Sequence, residues 1–393
     1  MEYRRFGKTE KHISAITLGG MRFTKSWDQP RHEIPTETQD HCNNIVDLAL
    51  KNGINHFETA YGYVKSEKVF GKTLNDELKV DRSSYYLMTK GNPPTAEEAR
   101  KLVEEQLKTL KTDYVDFYAW HGINNQDIIH STCKKGGPVE ELLKMREEGI
   151  IKHVGFSTHG SMESICSAID TDLFEFVNLH YYYFYQRNLA AIQLAEKKDM
   201  GVFIISPNDK GGQLFRPTNK VKNAIPHATP IQWNARFCLN TPNVHTLSFG
   251  ITEPQHFDEM NAIFSRTDRT KELDLMAKQR LDNRLNDDPY SNFDAYPYQD
   301  NGSELDLPLL LHWRKLWKCY DMLDFAKYRY KELKTPNHWV PGVFATPENI
   351  NKIDFSKIPS EIPLKKMLTE LHEALYQAPE APKYYPTKMK VIR

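Results

Sequence analysis

An excess of charge of either sign is what this sequence most plainly lacks. Across 393 residues, 52 lysines and arginines stand against 52 aspartates and glutamates, so no global field draws the chain to nucleic acid or to an anionic membrane. Neither is an expected partner. Long apolar runs are missing as well: nothing approaches the roughly 18 to 20 apolar residues of a membrane span, and the opening MEYRRFGKTEKHIS is charged where a signal peptide needs an apolar core. Cysteine is scarce, odd in number and widely spaced (Cys42, Cys133, Cys166, Cys238, Cys319), with no C-x-x-C for zinc or thiol exchange. The expectation is a cytoplasmic protein with reduced thiols and no metal site. There is no internal repeat or low-complexity tract.

What is present is an alternation. From Ile16 onward, short apolar or β-branched runs alternate with longer stretches of helical period, the sequence form of a parallel β/α protein. Eight such runs occur, at 16–20, 54–58, 85–89, 115–120, 152–157, 176–181, 202–206 and 244–249, and eight predict closure into a barrel. In TAEEARKLVEEQLKTLK the apolar Val103, Leu107 and Leu110 fall at spacings of four and three, and Thr95 with Glu97 and Glu98 marks a helix start. Ahead of the first run, EYRRFG and KHIS are expected to form a small hairpin closing the barrel floor.

Past about Leu285 the texture changes to DDPYSNFDAYPYQDNGSELDLP, which has no sustained period and reads as a linker or wrapping loop. Helical patterns follow at 308–334 and 362–376, the latter with Leu364, Met367, Leu368, Leu371 and Leu375 on one face. The predicted architecture is α/β: a (β/α)8 TIM barrel over residues 1–285 and a small, mainly helical C-terminal extension over 286–393.

Catalytic groups in such a barrel come from the C-terminal ends of its strands and the loops after them. The second run ends in Glu58 with Tyr63 soon after, the third is followed by Lys90 and the fourth by His121. Taken singly, a Lys or Glu at a strand end is usually solvated and a Tyr in YGY is usually core. Three successive strands delivering an acid, a phenol, an amine and an imidazole to one rim is a poor arrangement for packing alone.

The stretches HFETAYGYVKSEKVFGKTL, MTKG, DYVDFYAWH and GIIKHVGFSTHG resemble successive signatures of the aldo-keto reductases, with the resemblance running from about residue 2 to residue 280. That family implies a barrel binding extended NADP(H) or NAD(H), with NADP(H) favoured, without a Rossmann fingerprint, so the absence of G-x-G-x-x-G here is uninformative. By the resemblance Tyr63 is the general acid, Lys90 the amine beside it, His121 the imidazole that orients a carbonyl, and Glu58 the acid paired with the lysine. Glu58 departs from the family's usual Asp. Either it keeps the ion pair with an adjusted rotamer, or its extra methylene lets it reach substrate as a second acid or base.

The resemblance also implies cofactor contacts: Gly20 and Met21 after the first strand, Ser157 and Thr158 after the fifth, Asn178 on the sixth, Ser206 and Lys210 after the seventh, and Gly250, Thr252 and His256 around a phosphate. Thr158 and Asn178 replace the usual Asn and Gln, Ile205 stands where an aromatic ring often stacks on the cofactor, and His256 and Met260 depart at the adenosine end. Trp27, Tyr61, Trp120 and the YYYFY run at 181–185 are candidates for an aromatic substrate mouth, with core filling an equal reading of the run.

The tail segments WKCYDMLDFAKYRYKEL, HWVPG and PLKKMLTELHEAL are similar to a bacterial aldo-keto reductase branch with a ferredoxin-like C-terminal domain. Cys319 is the tail's single cysteine, so no iron-sulfur cluster is expected. The leading expectation is an oxidoreductase acting on a small carbonyl or alcohol. Two others stand beside it: a cofactor-bound regulatory or scaffolding protein with little turnover, and a lyase or isomerase that recycles its dinucleotide internally. Substrate, redox direction and oligomeric state are not legible.

Overall fold

The computed structural model describes residues 1–23, 30, 31, 33–333 and 342–377. The chain forms two compact units, Met1–Asp282 and Asn283–Arg393.

The first unit opens with an antiparallel hairpin, β1 (Tyr3–Arg5) and β2 (His12–Ser14). Eight parallel strands then close a barrel: β3 (Ile16–Gly19), β4 (His56–Glu58), β5 (Tyr86–Gly91), β6 (Val115–His121), β7 (Ile151–Ser157), β8 (Phe176–Leu179), β9 (Gly201–Ile204) and β10 (Thr246–Phe249), which pairs back onto β3. Each lies within a few residues of a predicted run. The strands read as short runs rich in apolar residues because both of their faces are covered, one by the barrel interior and one by helices.

Side-chain parity sorts the two faces. Phe117 and Ala119 of β6, Met88 of β5, Phe176 of β8 and Phe203 of β9 pack together inside the barrel with Phe6 and Ile13. Their neighbours Tyr118, Trp120, Leu87, Val177 and Ile204 belong to the larger core outside it. Phe6, from the hairpin, is fully buried and meets Phe117, Phe176 and His245 at ring-centroid distances of 5.3, 5.7 and 5.6 Å. The next residue, Gly7, takes φ +53, and a Cβ there would meet the backbone of Asp199 and Gly201 at 2.5 Å. Only glycine lets the hairpin approach that closely.

Thr95 caps the helix Ala96–Leu110, its hydroxyl accepting from the Glu98 amide at 3.2 Å. No helix among the described residues is long and apolar enough to cross a membrane.

The second unit is built from the helices Leu307–Tyr320, Leu323–Lys331, Pro347–Ile350 and Leu364–Leu375. The helical patterns expected over 308–334 form two helices divided at Asp321, which turns left-handed at φ +57 and caps the first. Leu364, Met367, Leu368, Leu371 and Leu375 are buried as their spacing predicted. An Arg314–Asp288 ion pair is buried within this unit, and Tyr330 binds both the His372 ring, at 2.7 Å, and the Ala345 amide, at 2.8 Å.

Candidate active site at the barrel rim

The same parity that fills the barrel decides the site. Counting from the interior residues, Gly19, Glu58, Lys90, His121, Ser157, Asn178 and Ser248 all turn toward the barrel axis at its C-terminal end. Pairing register then sets them side by side: Gly19 lies opposite Glu58, His121 opposite Ser157, and Ser157 opposite Asn178.

Glu58 and Lys90 are both buried and form a direct ion pair. The Lys90 ammonium also donates to the Thr59 carbonyl at 2.8 Å. Glu58 accepts further from the Tyr63 hydroxyl at 3.3 Å and from Ser248 Oγ at 3.4 Å. Gly19 leaves room for this carboxylate, since a Cβ there would lie 3.3 Å from Glu58 Oε2 and 2.7 Å from Ser248 Oγ. Two charges withdrawn from water are stable only when paired and hydrogen-bonded, and both conditions hold.

Tyr63 is carried by a short turn, Tyr61–Tyr63, after β4. Its ring meets His121 edge-on at 6.0 Å, and the Lys90 ammonium lies 4.8 Å from its centroid. Burial raises the Tyr63 phenol above its ordinary value, with the Arg22 charge acting in the opposite sense. His121 is held well below the usual imidazole range by burial, then by the charges of Lys90 and Lys210. Burial likewise pushes the Lys90 ammonium down. At neutral pH the rim therefore holds a protonated phenol and a neutral imidazole, two donors suited to a carbonyl oxygen.

Beside them lie two buried polar atoms without a partner among the described residues, Ser157 Oγ and Asn178 Oδ1. Asn178 Nδ2 makes a contact to Met88 Sδ at 3.2 Å. An unsatisfied buried polar atom costs about 1–3 kcal/mol, so a neighbouring pair at a barrel rim fits a ligand that brings its own amide. Thr158, expected beside them, is committed elsewhere: its hydroxyl donates to the Ile123 carbonyl at 2.6 Å and accepts from the Gly160 amide at 2.9 Å, while its own amide binds the Asn178 carbonyl.

The sequence matches a family model described as the aldo/keto reductase family over residues 15–278. The chain belongs to that family. Among curated proteins, it is 30% identical over 165 residues to L-galactose dehydrogenase of Arabidopsis thaliana, covering 40% of this chain and 48% of that protein. It is 25% identical over 177 residues to D-arabinose 1-dehydrogenase of Saccharomyces cerevisiae, covering 41% and 49%. The chain thus spans about half the length of these curated relatives. A solved aldo-keto reductase from Bacillus halodurans aligns at a TM-score of 0.59 and 19% identity, over 71% of this chain and 96% of that one. One from Brucella melitensis aligns at 0.54 and 23%, over 70% and 98%. At these identities the solved structures show the shared fold.

The remaining positions that the aldo/keto reductase resemblance singled out are spread around the rim. Gly20 is buried where a Cβ would collide with Phe70 and Ser66, so its glycine is a packing requirement. Met21 is half-buried beside it. Ser206 takes φ +51 just past β9, and Lys210 Nζ lies 3.4 Å from His159 Nδ1. Gly250 is tight against Arg22, whose Cγ would be 2.9 Å from a Cβ. The Thr252 amide donates to the His256 ring at 3.4 Å, and its carbonyl binds the His41 ring at 2.7 Å.

Trp120 does not line a mouth, because its even parity on β6 turns it into the outer core. Tyr181, Tyr182, Tyr183 and Phe184 are buried, with Tyr181 stacked on Phe237 and Tyr183 edge-on to Trp233; the run fills core. Trp27 lies outside the described residues. Sequence reasoning missed the Arg22–Asp209 ion pair, 2.9 Å, which joins the loops after β3 and β9. Residues so far apart in the chain give no local signal.

Proposed function

We propose that the chain is an NAD(P)(H)-dependent oxidoreductase acting on a small carbonyl or alcohol, with Tyr63 as its general acid and base. One observation carries the reading: Glu58, Tyr63, Lys90 and His121 share the axial rim with two unsatisfied buried polar atoms. When bound, the dinucleotide supplies or takes up the hydride.

The chain's own residues do the rest. Neutral His121 donates a hydrogen bond to the carbonyl oxygen and orients it. Tyr63 gives its proton to that oxygen as negative charge develops there, and Lys90 beside the ring makes the resulting phenolate less costly. Glu58 holds Lys90 in place and, through its contact with the Tyr63 hydroxyl, offers a second acceptor for the phenol proton in the oxidative direction. Asn178 and Ser157 would hold the nicotinamide amide, and Gly20, Met21, Ser206, Lys210, Gly250, Thr252 and His256 the remainder of the dinucleotide, with NADP(H) favoured. Thr158 contributes by fixing the loop after β7. The barrel is read as the catalytic domain of a cytoplasmic protein. The C-terminal extension is read as a ferredoxin-derived domain without cluster ligands.

Titration with NADPH and NADH, followed by quenching of intrinsic fluorescence, tests binding. A panel of aldehydes and ketones, with L-galactose and D-arabinose in the oxidative direction, tests turnover by the near-ultraviolet absorbance of reduced nicotinamide. Tyr63→Phe is expected to lose turnover and retain dinucleotide binding; full activity in that variant would sink the assignment of Tyr63.

A further inference from the structure

The turn that presents Tyr63 is strained. Val64, directly after it, takes φ +52, an outlying conformation for a β-branched residue, and such a conformation persists only where its surroundings over-determine it. A clamp lies on the other side of the turn. Arg31, on the loop after β3, donates through one guanidinium nitrogen to the Tyr61 carbonyl at 2.5 Å and stacks over the Tyr61 ring at 3.8 Å. Its other terminal nitrogen pairs with Glu67 Oε2 at 3.1 Å.

Glu67 is 1% exposed, a carboxylate sunk into the wall of the barrel. Its second oxygen accepts from Thr89 Oγ1 and from Gln106 Nε2, both at 2.6 Å. The same Gln106 nitrogen reaches the carbonyl of Lys90 at 3.1 Å, and Gln106 Oε1 accepts from the Tyr118 hydroxyl at 2.9 Å. One buried carboxylate thus ties together the Tyr63 turn, the strand that carries Lys90 and the strand that carries His121. Packing alone does not call for it, because a buried ion pair is commonly no more stabilising than apolar side chains of the same volume.

We propose that the Arg31–Glu67 pair is a positioning device that holds the strained 61–64 turn against β5, in the place where the Tyr63 hydroxyl meets a reacting oxygen. The inference rests on the assignment of Tyr63 above. Arg31 and Glu67 are positioning residues, acting through the turn and the strand.

The test uses the full chain with Arg31→Met, Arg31→Lys and Glu67→Gln. Hydrogen exchange of the peptide spanning 59–66, measured without dinucleotide, should quicken about tenfold or more in Arg31→Met, with peptides over β8 and β9 unchanged. In turnover, kcat should fall about 10²-fold while KM for the carbonyl stays nearly constant. The loss should be larger for an unactivated ketone than for para-nitrobenzaldehyde, whose carbonyl needs less help from an acid. Arg31→Lys should recover part of the rate, since an ammonium cannot serve the carbonyl, the ring and the carboxylate in one plane. Glu67→Gln should mimic Arg31→Met. Unchanged exchange, or a loss confined to KM, would overturn the clamp while leaving Tyr63 in its role. Full turnover in Tyr63→Phe would overturn both.

Discussion

Glu58 is tied into the rim at three points: it pairs with Lys90 and accepts from the Tyr63 hydroxyl and from Ser248 Oγ. Lys90→Met would strand that carboxylate in a buried site, and the loss of stability should be about 3–5 kcal/mol by urea denaturation. The deficit should shrink at low pH, where the stranded acid takes up a proton; a deficit independent of pH would contradict the buried pairing. At Asn178 the expectation has the opposite sign. Its Oδ1 is buried and unsatisfied, so Asn178→Leu should stabilise the dinucleotide-free protein by roughly 1 kcal/mol while weakening dinucleotide binding. A destabilised apo variant with unaltered affinity would show that the amide serves the fold and not a ligand.

Among the elements, the N-terminal hairpin has the clearest energetic role. It exists to deliver Phe6 into the barrel floor, where four aromatic and imidazole rings surround it: Phe117, Phe176, His245 and His56. Phe6→Ala should cost about 3–5 kcal/mol, read as a lowered urea midpoint, and a loss below about 1 kcal/mol would mean that the barrel floor closes without it. The strands were legible in the sequence because burial on both faces leaves short runs rich in apolar and β-branched residues. Which way each residue points was not read from those runs. Parity on β6, counted from Phe117 and Ala119 inside the barrel, brings His121 to the axis and sends Trp120 outward. Counting it at the sequence level would have removed Trp120 from the list of mouth residues.

Taken as a whole, the barrel unit refuses protons that its unfolded chain would take. Burial holds His56 down to about 3 from 6.5 and His245 to about 4, and His121 also lies well below its ordinary value. Above about pH 6.5 folded and unfolded states alike keep these rings neutral. As the pH falls through that value the unfolded chain binds protons first, so stability must decline on acidification, by about 1.4 kcal/mol per pH unit for each ring fully engaged. The decline should run down to about 4 for His245 and about 3 for His56. Urea midpoints measured at neutral and mildly acidic pH check this; a flat profile would mean that these rings titrate normally.

The order of strands and helices, the closing hairpin and the four rim residues follow from the sequence by itself, because periodicity and strand ends are local properties written along the chain. Family membership followed from stretches that are also local. Only the tertiary structure decided which polar groups are spent and which stay unsatisfied. Thr158 and Asn178 look equally available in the sequence, yet one closes a loop and the other is left with a bare oxygen. The Arg31–Glu67–Gln106 network joins residues 36 and 39 positions apart, and the Arg22–Asp209 pair joins residues 187 apart. Hydrogen bonds and ion pairs of that kind depend on which strands become neighbours when the barrel closes, and no local pattern in the chain encodes them.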